Sequence, residues 1–509
     1  MKTLIVGAGP TGMTAALVLA ANGVDSRIID KRPEPQHTSR ALGLQARSME
    51  VLAGLGVSEQ VERVAYRLFG ASIMSGDRPI AEMDWVPPES RYPYTYVVPQ
   101  AGLEAILRGR LDEFGVRIDR GAEAVDVTSS GSGVTATLDD GRTIEADWAV
   151  GADGARSRVR EAAGIAFPQR STGEVYYLAD AILDLPARLR AQVEGPAEDG
   201  ERSGSAMWLG PHGPFMLMRL PGDERLWRVF VDMSDTAADG DLPPLTTRAL
   251  ETLIAERGPR GTRVDALQWT SVFHTRLGLA DAYRSGRVFL AGDAAHVFPP
   301  FGGQGMNLGI QDAVNVAWRL AGVANGAPAT LLDGYESERR PIAAATIRDV
   351  EARRRLYALR NSLARGARDL LFRAGASSRG AKRKASLQNS QLATSYRDVI
   401  PGGDGGPLPR AGDRAPDGRL GETTVHDLLA PDHVTLLCFD PSAHETTIER
   451  EPGLTTVTIA GQDSLLRRAY GLAKGRSDVV LVRPDGHVQR RGSDLEGARR
   501  EIPALVGRR

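Results

Sequence analysis

The 509-residue chain holds a single cysteine, Cys438, and that scarcity removes whole classes of chemistry. An intramolecular disulfide, a CxxC redox pair and a cysteine-rich metal site are excluded, and no metal centre is expected. Cys438 lies in the apolar run Val434 to Phe439, where a buried strand thiol is the expected reading rather than a nucleophile. Net charge is scarce as well. With 63 Lys and Arg against 64 Asp and Glu, the formal charge is −1, which gives no reason to expect nucleic acid or an anionic membrane as partner. No apolar run approaches membrane-spanning length, and the apolar start runs into a glycine motif instead of a cleavage site. A cytoplasmic protein of about three domains is the expectation.

The glycine motif is Gly7-Ala8-Gly9-Pro10-Thr11-Gly12, between the apolar strand Leu4-Ile5-Val6 and an Ala/Leu-rich helix closed by Gly23. That context turns GxGxxG into a dinucleotide fingerprint. Gly7 makes the turn, Gly9 lets backbone approach a pyrophosphate, Gly12 permits close helix-strand packing, and the helix start faces the phosphate charge. A second strand, Ser26 to Ile29, ends in Asp30, at the distance where a carboxylate meets a ribose hydroxyl.

A second glycine-rich region runs from Arg287 to Arg319. Val288 to Ala291 reads as a buried strand, Gly292 as a sharp turn, and Asp293 as an acceptor for ligand hydroxyls. Gly302, Gly303 and Gly305 then leave backbone N–H groups uncovered at a helix start, suited to an anion or a polar ring edge. Between the two regions the pattern is a layered α/β domain. Val97-Val98-Pro99-Gln100 leads into a helix from Leu103 to Phe114, and Asp139-Asp140-Gly141-Arg142 marks a hairpin. Trp148-Ala149-Val150 turns through Asp153-Gly154 at a strand's carboxyl end, where open α/β sheets place ligands.

From about Tyr176 to Ser271 strand-like pieces alternate with Pro, Gly and acidic loops. Tyr176 to Ile182, Ser205 to Leu209, Phe215 to Leu220 and Leu226 to Asp232 suit one mixed or antiparallel sheet. Trp208, Phe215, Trp227 and Phe230 offer aromatic surface for a flat apolar substrate, with ordinary core packing the competing reading. A charged helix follows Tyr335 to Pro341, and Gly375 to Gly380 with Lys382-Arg383-Lys384 reads as a mobile, solvated connection. The Gly/Pro-rich hinge Pro401 to Pro409 introduces a final module of about 100 residues. Its strands Val434 to Phe439, Thr455 to Ile459 and Val479 to Val482 surround a helix at Ser464 to Leu472, with a turn at Pro484-Asp485-Gly486.

Taken in order, GAGPTG from Gly7, the arginine of Ser39-Arg40-Ala41-Leu42-Gly43, Asp153-Gly154, and Gly292-Asp293 with PPFGGQGMN behind it make the chain resemble the class A flavoprotein monooxygenases. The resemblance is specifically to the aromatic hydroxylases related to phenol hydroxylase and to the polyketide and rifampicin hydroxylases of actinomycetes. It implies a Rossmann-like FAD-binding domain of the glutathione-reductase type over residues 1–75, 98–175 and 272–355. It further implies a substrate-binding β-sheet domain over 76–97 and 176–271, a helix and linker over 356–410, and a thioredoxin-like C-terminal domain over 411–509.

On that resemblance FAD occupies the fingerprint at Gly7, Gly9, Pro10, Thr11 and Gly12, with Asp30 at the adenosine ribose and Lys31 beside it. Asp30 replaces the more usual glutamate. Arg40 and Gln100 fall in the phosphate and ribityl region, Asp153 and Gly292 at the turns, and Asp293 on the ribityl hydroxyls. Pro300, Gly303, Gly305, Met306 and Asn307 follow the isoalloxazine edge. The implied reaction consumes NADPH or NADH and O₂. It passes through a flavin C4a-hydroperoxide to an electron-rich aromatic substrate, with Pro299 and Gly303 contributing backbone at the flavin edge and no side-chain acid or base assigned. His296 takes a structural role near the cofactor framework. Natural-product tailoring is favoured, ahead of antibiotic inactivation and phenol catabolism, and hydroxylation, epoxidation and Baeyer-Villiger oxidation share the same chemistry. A monomer or homodimer is expected.

Other classes fare worse. A disulfide reductase needs a second GxGxxG and a cysteine pair, and a flavin halogenase would carry GWxWxIP; the sequence has neither. A ligand-binding protein of the same fold, like the prenyl-binding GDP-dissociation inhibitors, is disfavoured by the intact Asp153-Gly154 and Gly292-Asp293 turns.

Overall fold

The computed structural model describes the chain except residues 39–40, 77, 85–88, 195–201, 237–241, 402–407, 462–463, 474 and 508–509. Arg40 and most of the Pro401 to Pro409 hinge therefore lie outside the described residues. Among the described residues no helix is long and apolar enough to cross a membrane.

The first strand, Lys2–Val6, is buried on both faces beyond Lys2 because it sits inside a sheet. It pairs in parallel with Asp25–Asp30 on one side and Trp148–Gly151 on the other. The six-stranded order is Arg284–Ser285, Val288–Leu290, Trp148–Gly151, Lys2–Val6, Asp25–Asp30, Ile118–Arg120. A parallel sheet covered on both faces requires continuous apolar runs, and Leu4, Ile5, Val150, Phe289 and Leu290 supply them, each 0% exposed. The helix Pro10–Ala21 opens on proline, whose fixed φ suits a first helical position. It packs against Gln304–Ala324 and Gln100–Glu113. Gly7 carries φ +106, and a Cβ there would meet Ala152 O at 2.3 Å, while one on Gly12 would meet Gly7 O at 1.9 Å. Strand, turn and helix close up because these two positions have no side chain.

The segment 124–146 forms an antiparallel three-stranded sheet whose hairpin turns at Asp139 to Arg142. A ten-stranded sheet makes the second layer. At its centre Gln169–Asp184, Leu226–Asp232, Gly213–Arg219 and Arg202–Gly210 lie side by side, each antiparallel to the next. Beyond them lie the 17-residue strand Arg263–Leu279 at one side and Tyr66–Ser75 at the other.

The expected mobile connection at 375–384 is helical instead. Ser362–Ser377 and Arg379–Ser390 are two helices meeting at Ser378, whose hydroxyl accepts from the Ala381 N–H at 3.3 Å. Ala, Lys, Arg, Leu and Gln in the second helix are good helix formers, and a serine cap outweighs the breaking tendency of Gly380.

The C-terminal module is a five-stranded mixed sheet ordered Thr447–Glu451, Leu454–Ile459, Val434–Phe439, Asp478–Val482, Val488–Gly492. Helices Ser464–Ala469 and Leu495–Val506 accompany it.

Candidate active site

One cavity of about 1340 Å³ runs from the carboxyl ends of the six-stranded sheet to the face of the ten-stranded sheet. Its wall includes Gly7, Gly9, Pro10, Thr11, Asp30, Lys31, Gln100, Asp153, Asp293, Pro299, Pro300, Gly303, Gly305 and Met306. Residues separated by nearly 300 positions in sequence thus share one surface. Two long helices begin on this wall, Pro10–Ala21 after Gly9 and Gln304–Ala324 after Gly303, and neither has a side-chain cap. Their first N–H groups are free to bind an anion or a polar ring edge, with the helix dipoles adding positive potential.

The carboxylates differ in what they already hold. Asp30 accepts from the Ala8 N–H at 2.8 Å and the Arg32 N–H at 2.8 Å, tying the fingerprint loop to the end of the second strand. Asp153 caps the short helix Arg158–Ala162 by accepting from the N–H groups of Arg158 (2.7 Å) and Val159 (3.1 Å). Its Oδ1 is buried without a partner among the described residues. Burial pushes its carboxyl above the usual range. Asp293 also has no hydrogen-bond partner among the described residues and opens onto the cavity. Its side chain is exposed to the cavity, yet the protein atoms packed around it raise its carboxyl, and nearby His296 partly opposes this. An exposed carboxylate with no protein donor is open to a ligand's hydroxyl groups, as acceptor.

Gly12, Gly292 and Asn307 lie behind the wall and shape it. Asn307, fully buried, donates to Gly43 O at 2.8 Å and Gly303 O at 2.7 Å and accepts from the Gln45 N–H at 2.7 Å. It clamps the glycine loop onto the strand Gly43–Leu44. His296 is also fully buried, with Nε2 2.7 Å from Asp312 Oδ2. Asp312 further accepts from the Gly292 N–H at 3.2 Å and Arg339 Nε at 2.7 Å. Burial alone would raise the Asp312 carboxyl, but Arg339 and His296 hold it below its usual range. This buried charge set fixes the Gly292-Asp293 turn from behind and leaves His296 no access to the cavity.

The far end of the cavity is floored by two rows of side chains running across the sheet. In one, Trp269, Asp180, Arg228, Met218 and Ser205 are successive cross-strand partners; in the next they are Ser271, Leu178, Phe230, Met216, Met207 and Ile73. All but Asp180 line the cavity. Arg228 donates to both oxygens of Asp180, Nη2–Oδ2 at 2.9 Å, and lies 4.9 Å from the Trp269 ring.

Strand parity corrects the aromatic assignments. Trp208, Phe215 and Trp227, at most 3% exposed, belong to the opposite face with Val229, Leu217 and, on the helix Thr247–Arg257, Leu250 and Ile254. Trp208 Nε1 donates to Gly76 O at 3.0 Å, away from the cavity. Of the aromatics singled out in this sheet, Phe230 reaches the floor, stacked on Tyr176 at 4.5 Å. Met207, Met216, Arg228, Trp269, Gln45 and Arg353 also line the cavity and were not among the residues expected there. Alternation along Leu226–Asp232 would have placed Arg228 with Phe230 and apart from Trp227.

Residues 1–350 match the FAD-binding domain family. A flavin-dependent monooxygenase of Mycobacteroides abscessus is 33% identical over 96% of both chains. A rifampicin monooxygenase of Rhodococcus hoagii is 37% identical over 69% of this chain and 71% of its own. Among solved structures, an anhydrotetracycline hydroxylase of Streptomyces rimosus superposes with a TM-score of 0.78 at 28% identity, covering 100% of both chains. With the fingerprint, the Gly292-Asp293 turn and the glycine loop meeting on one cavity, the chain belongs to the class A FAD-dependent aromatic monooxygenases.

Proposed function

We propose that the protein hydroxylates a multi-ring phenolic or polyketide-type substrate in natural-product tailoring, consuming NADPH or NADH and O₂. One observation carries this reading: the cavity joins the two uncapped helix starts and the unpartnered Asp293 to a methionine-rich and aromatic floor without interruption. Its volume, about 1340 Å³, exceeds the common range of roughly 300–1,000 Å³ for a single small ligand, and so suits a dinucleotide together with a substrate. The named relatives support the substrate class, since they include a 6-methylpretetramide 4-monooxygenase, 32% identical over 96% of this chain.

The residues present suit FAD. Asp30 would meet the adenosine ribose, the N-terminus of Pro10–Ala21 the pyrophosphate, Asp293 and the buried Asp153 Oδ1 the hydroxyl-bearing linker and turn, and Gly303 to Met306 the isoalloxazine edge. When bound, FAD supplies the redox chemistry, taking reducing equivalents from the nicotinamide and activating O₂. The chain's task is to orient the aromatic ring over the sheet floor, exclude water, and hold preorganised N–H donors where negative charge develops. Pro299 and Pro300 stiffen the loop between cofactor end and floor. The chain has no second dinucleotide fingerprint, so the nicotinamide would bind transiently over the FAD domain. The C-terminal sheet suits a thioredoxin-like domain; with Cys438 alone it has no dithiol chemistry.

The test is direct. Purified protein should be yellow with near-stoichiometric FAD, and a panel of polycyclic phenols should stimulate NADPH oxidation and give products one oxygen heavier. A colourless protein, or one whose NADPH oxidation no aromatic compound stimulates, would contradict the proposal.

A further inference from the structure

Two of the arginines that line the cavity, Arg228 and Arg353, differ in charge balance. Arg228 is neutralised by Asp180 through two hydrogen bonds. Arg353, near the C-terminal end of the helix Gly334–Tyr357, is half-buried and lines the cavity beside Gly302, where a Cβ would come within 2.8 Å of its Nη1. Its hydrogen-bond partner is an uncharged amide, Asn389 Oδ1, at 2.7 Å. Among the described residues no carboxylate pairs with it.

The neighbouring acids are committed elsewhere. Glu351 takes Arg354 (2.6 Å), Arg355 (3.0 Å) and Arg170 (3.3 Å), and Glu174 takes Arg354 as well. One turn on from Arg353, Tyr357 lines the same cavity, its ring edge-on to Phe301 at 5.8 Å. The Tyr357 hydroxyl has no hydrogen-bond partner among the described residues. An uncompensated guanidinium and a free phenolic donor, four residues apart on one helix and facing one partly enclosed space, make a receptor for an anionic oxygen.

We propose that Arg353, assisted by Tyr357, holds an anionic oxygen of the substrate, so that the cavity takes its aromatic ring as a phenolate or enolate. This rests on the hydroxylase reading above and narrows it to substrates with an acidic hydroxyl. The proton of that hydroxyl leaves to solvent on binding; no protein base is required. An oxyanion on the ring also makes the carbon to be oxidised more electron-rich.

The probe is alizarin, a dihydroxyanthraquinone whose anion is red while its neutral form is yellow, with its dimethyl ether as control. FAD-loaded full-length protein is titrated with each in buffer where free alizarin is neutral. Wild type should turn bound alizarin red, and Arg353→Met should weaken its binding by roughly ten- to a hundredfold without changing affinity for the ether. Arg353→Lys should recover part of the affinity, and Tyr357→Phe should cost a few-fold. The proposal is overturned if alizarin fails to bind, binds as the yellow form, or binds wild type and Arg353→Met alike. It is also overturned if Arg353→Met loses FAD, which would make Arg353 a cofactor anchor. Flavin colour and NADPH oxidation by the wild-type sample test the hydroxylase reading separately: a yellow, NADPH-oxidising enzyme without anion preference sinks only the role of Arg353.

Discussion

Arg483 donates to both oxygens of Glu338, Nη1–Oε1 at 2.6 Å and Nη2–Oε2 at 2.9 Å, across 145 positions of sequence. The pair ties the turn of the C-terminal module to the helix that packs behind the glycine loop, and it is not isolated. Arg319 Nη2 donates to Glu338 Oε1 at 2.7 Å, and Asn315 Nδ2 reaches Asp485 Oδ2 at 3.2 Å. Asn315 and Arg319 belong to the helix that starts at Gln304 on the cavity wall. The C-terminal module therefore braces the candidate cofactor loop through one buried charge cluster.

Arg483→Met should lower stability by about 3–5 kcal/mol, the cost of leaving a buried charge unpaired. Removing an acid along with it, as Arg483→Met with Asp485→Asn, should recover a large part of the loss. Burial alone would raise the Glu338 carboxyl, but Arg319 and Arg483 hold it at about 2, below its ordinary 4.5. Its folded value lies below the unfolded one, so its contribution is complete above pH 4.5 and lost as pH falls toward 2. Urea unfolding followed across that window should show wild type weakening on acidification and Arg483→Met weakening less.

Asp293→Ala should raise the dissociation constant for FAD about ten- to a hundredfold, the value of a charge-assisted hydrogen bond of roughly 1.5–3 kcal/mol. The carboxylate has no intramolecular partner among the described residues to lose, so thermal stability of the apoprotein should change little. Flavin fluorescence titration of refilled apoprotein measures the first quantity, and an unchanged affinity would remove Asp293 from the cofactor site.

Cys438→Ser should leave turnover within a few-fold. Cys438 is half-buried in the strand Val434–Phe439, between Thr458 and Val479 on the neighbouring strands, and burial pushes its thiol up, away from the reactive thiolate. A folded, yellow variant that lost hydroxylation would contradict this.

What the sequence made legible is local. Gly7, Gly9, Asp30 and Gly292-Asp293 announce themselves because a turn, a close backbone approach or a carboxylate at a strand end needs a particular residue at a particular spacing. The four strands between Tyr176 and Asp232 follow from strand-forming residues bounded by Pro, Gly and acidic loops. The cavity floor does not, because its membership depends on which face of each strand meets the cofactor sheet, and composition along one strand is the same for both faces. The contrast between Arg228 and Arg353 is invisible for a similar reason: Asp180 reaches Arg228 from a neighbouring strand and Asn389 reaches Arg353 from a separate helix, both only through the fold. The helix Arg379–Ser390 was obscured by glycines and a basic run that resemble a linker until Ser378 is seen as its cap.

Parity supplies the sharpest remaining test, since Trp227 and Phe230 lie on one strand and face opposite ways. Trp227 is 1% exposed beneath the helix Thr247–Arg257. Its replacement by alanine should cost about 3–5 kcal/mol in stability while leaving the KM of the surviving folded enzyme close to wild type. Phe230 stands on the cavity floor between Leu178 and Met216. Phe230→Ala should raise KM for a polycyclic phenol and uncouple NADPH oxidation from hydroxylation, because a substrate loosely held lets activated oxygen escape unused. Thermal unfolding and the ratio of product formed to NADPH consumed separate the two effects. If Trp227→Ala raised KM and uncoupled the enzyme while Phe230→Ala did neither, the substrate would have to lie on the opposite face of the sheet, and the cavity floor described above would be the wrong surface.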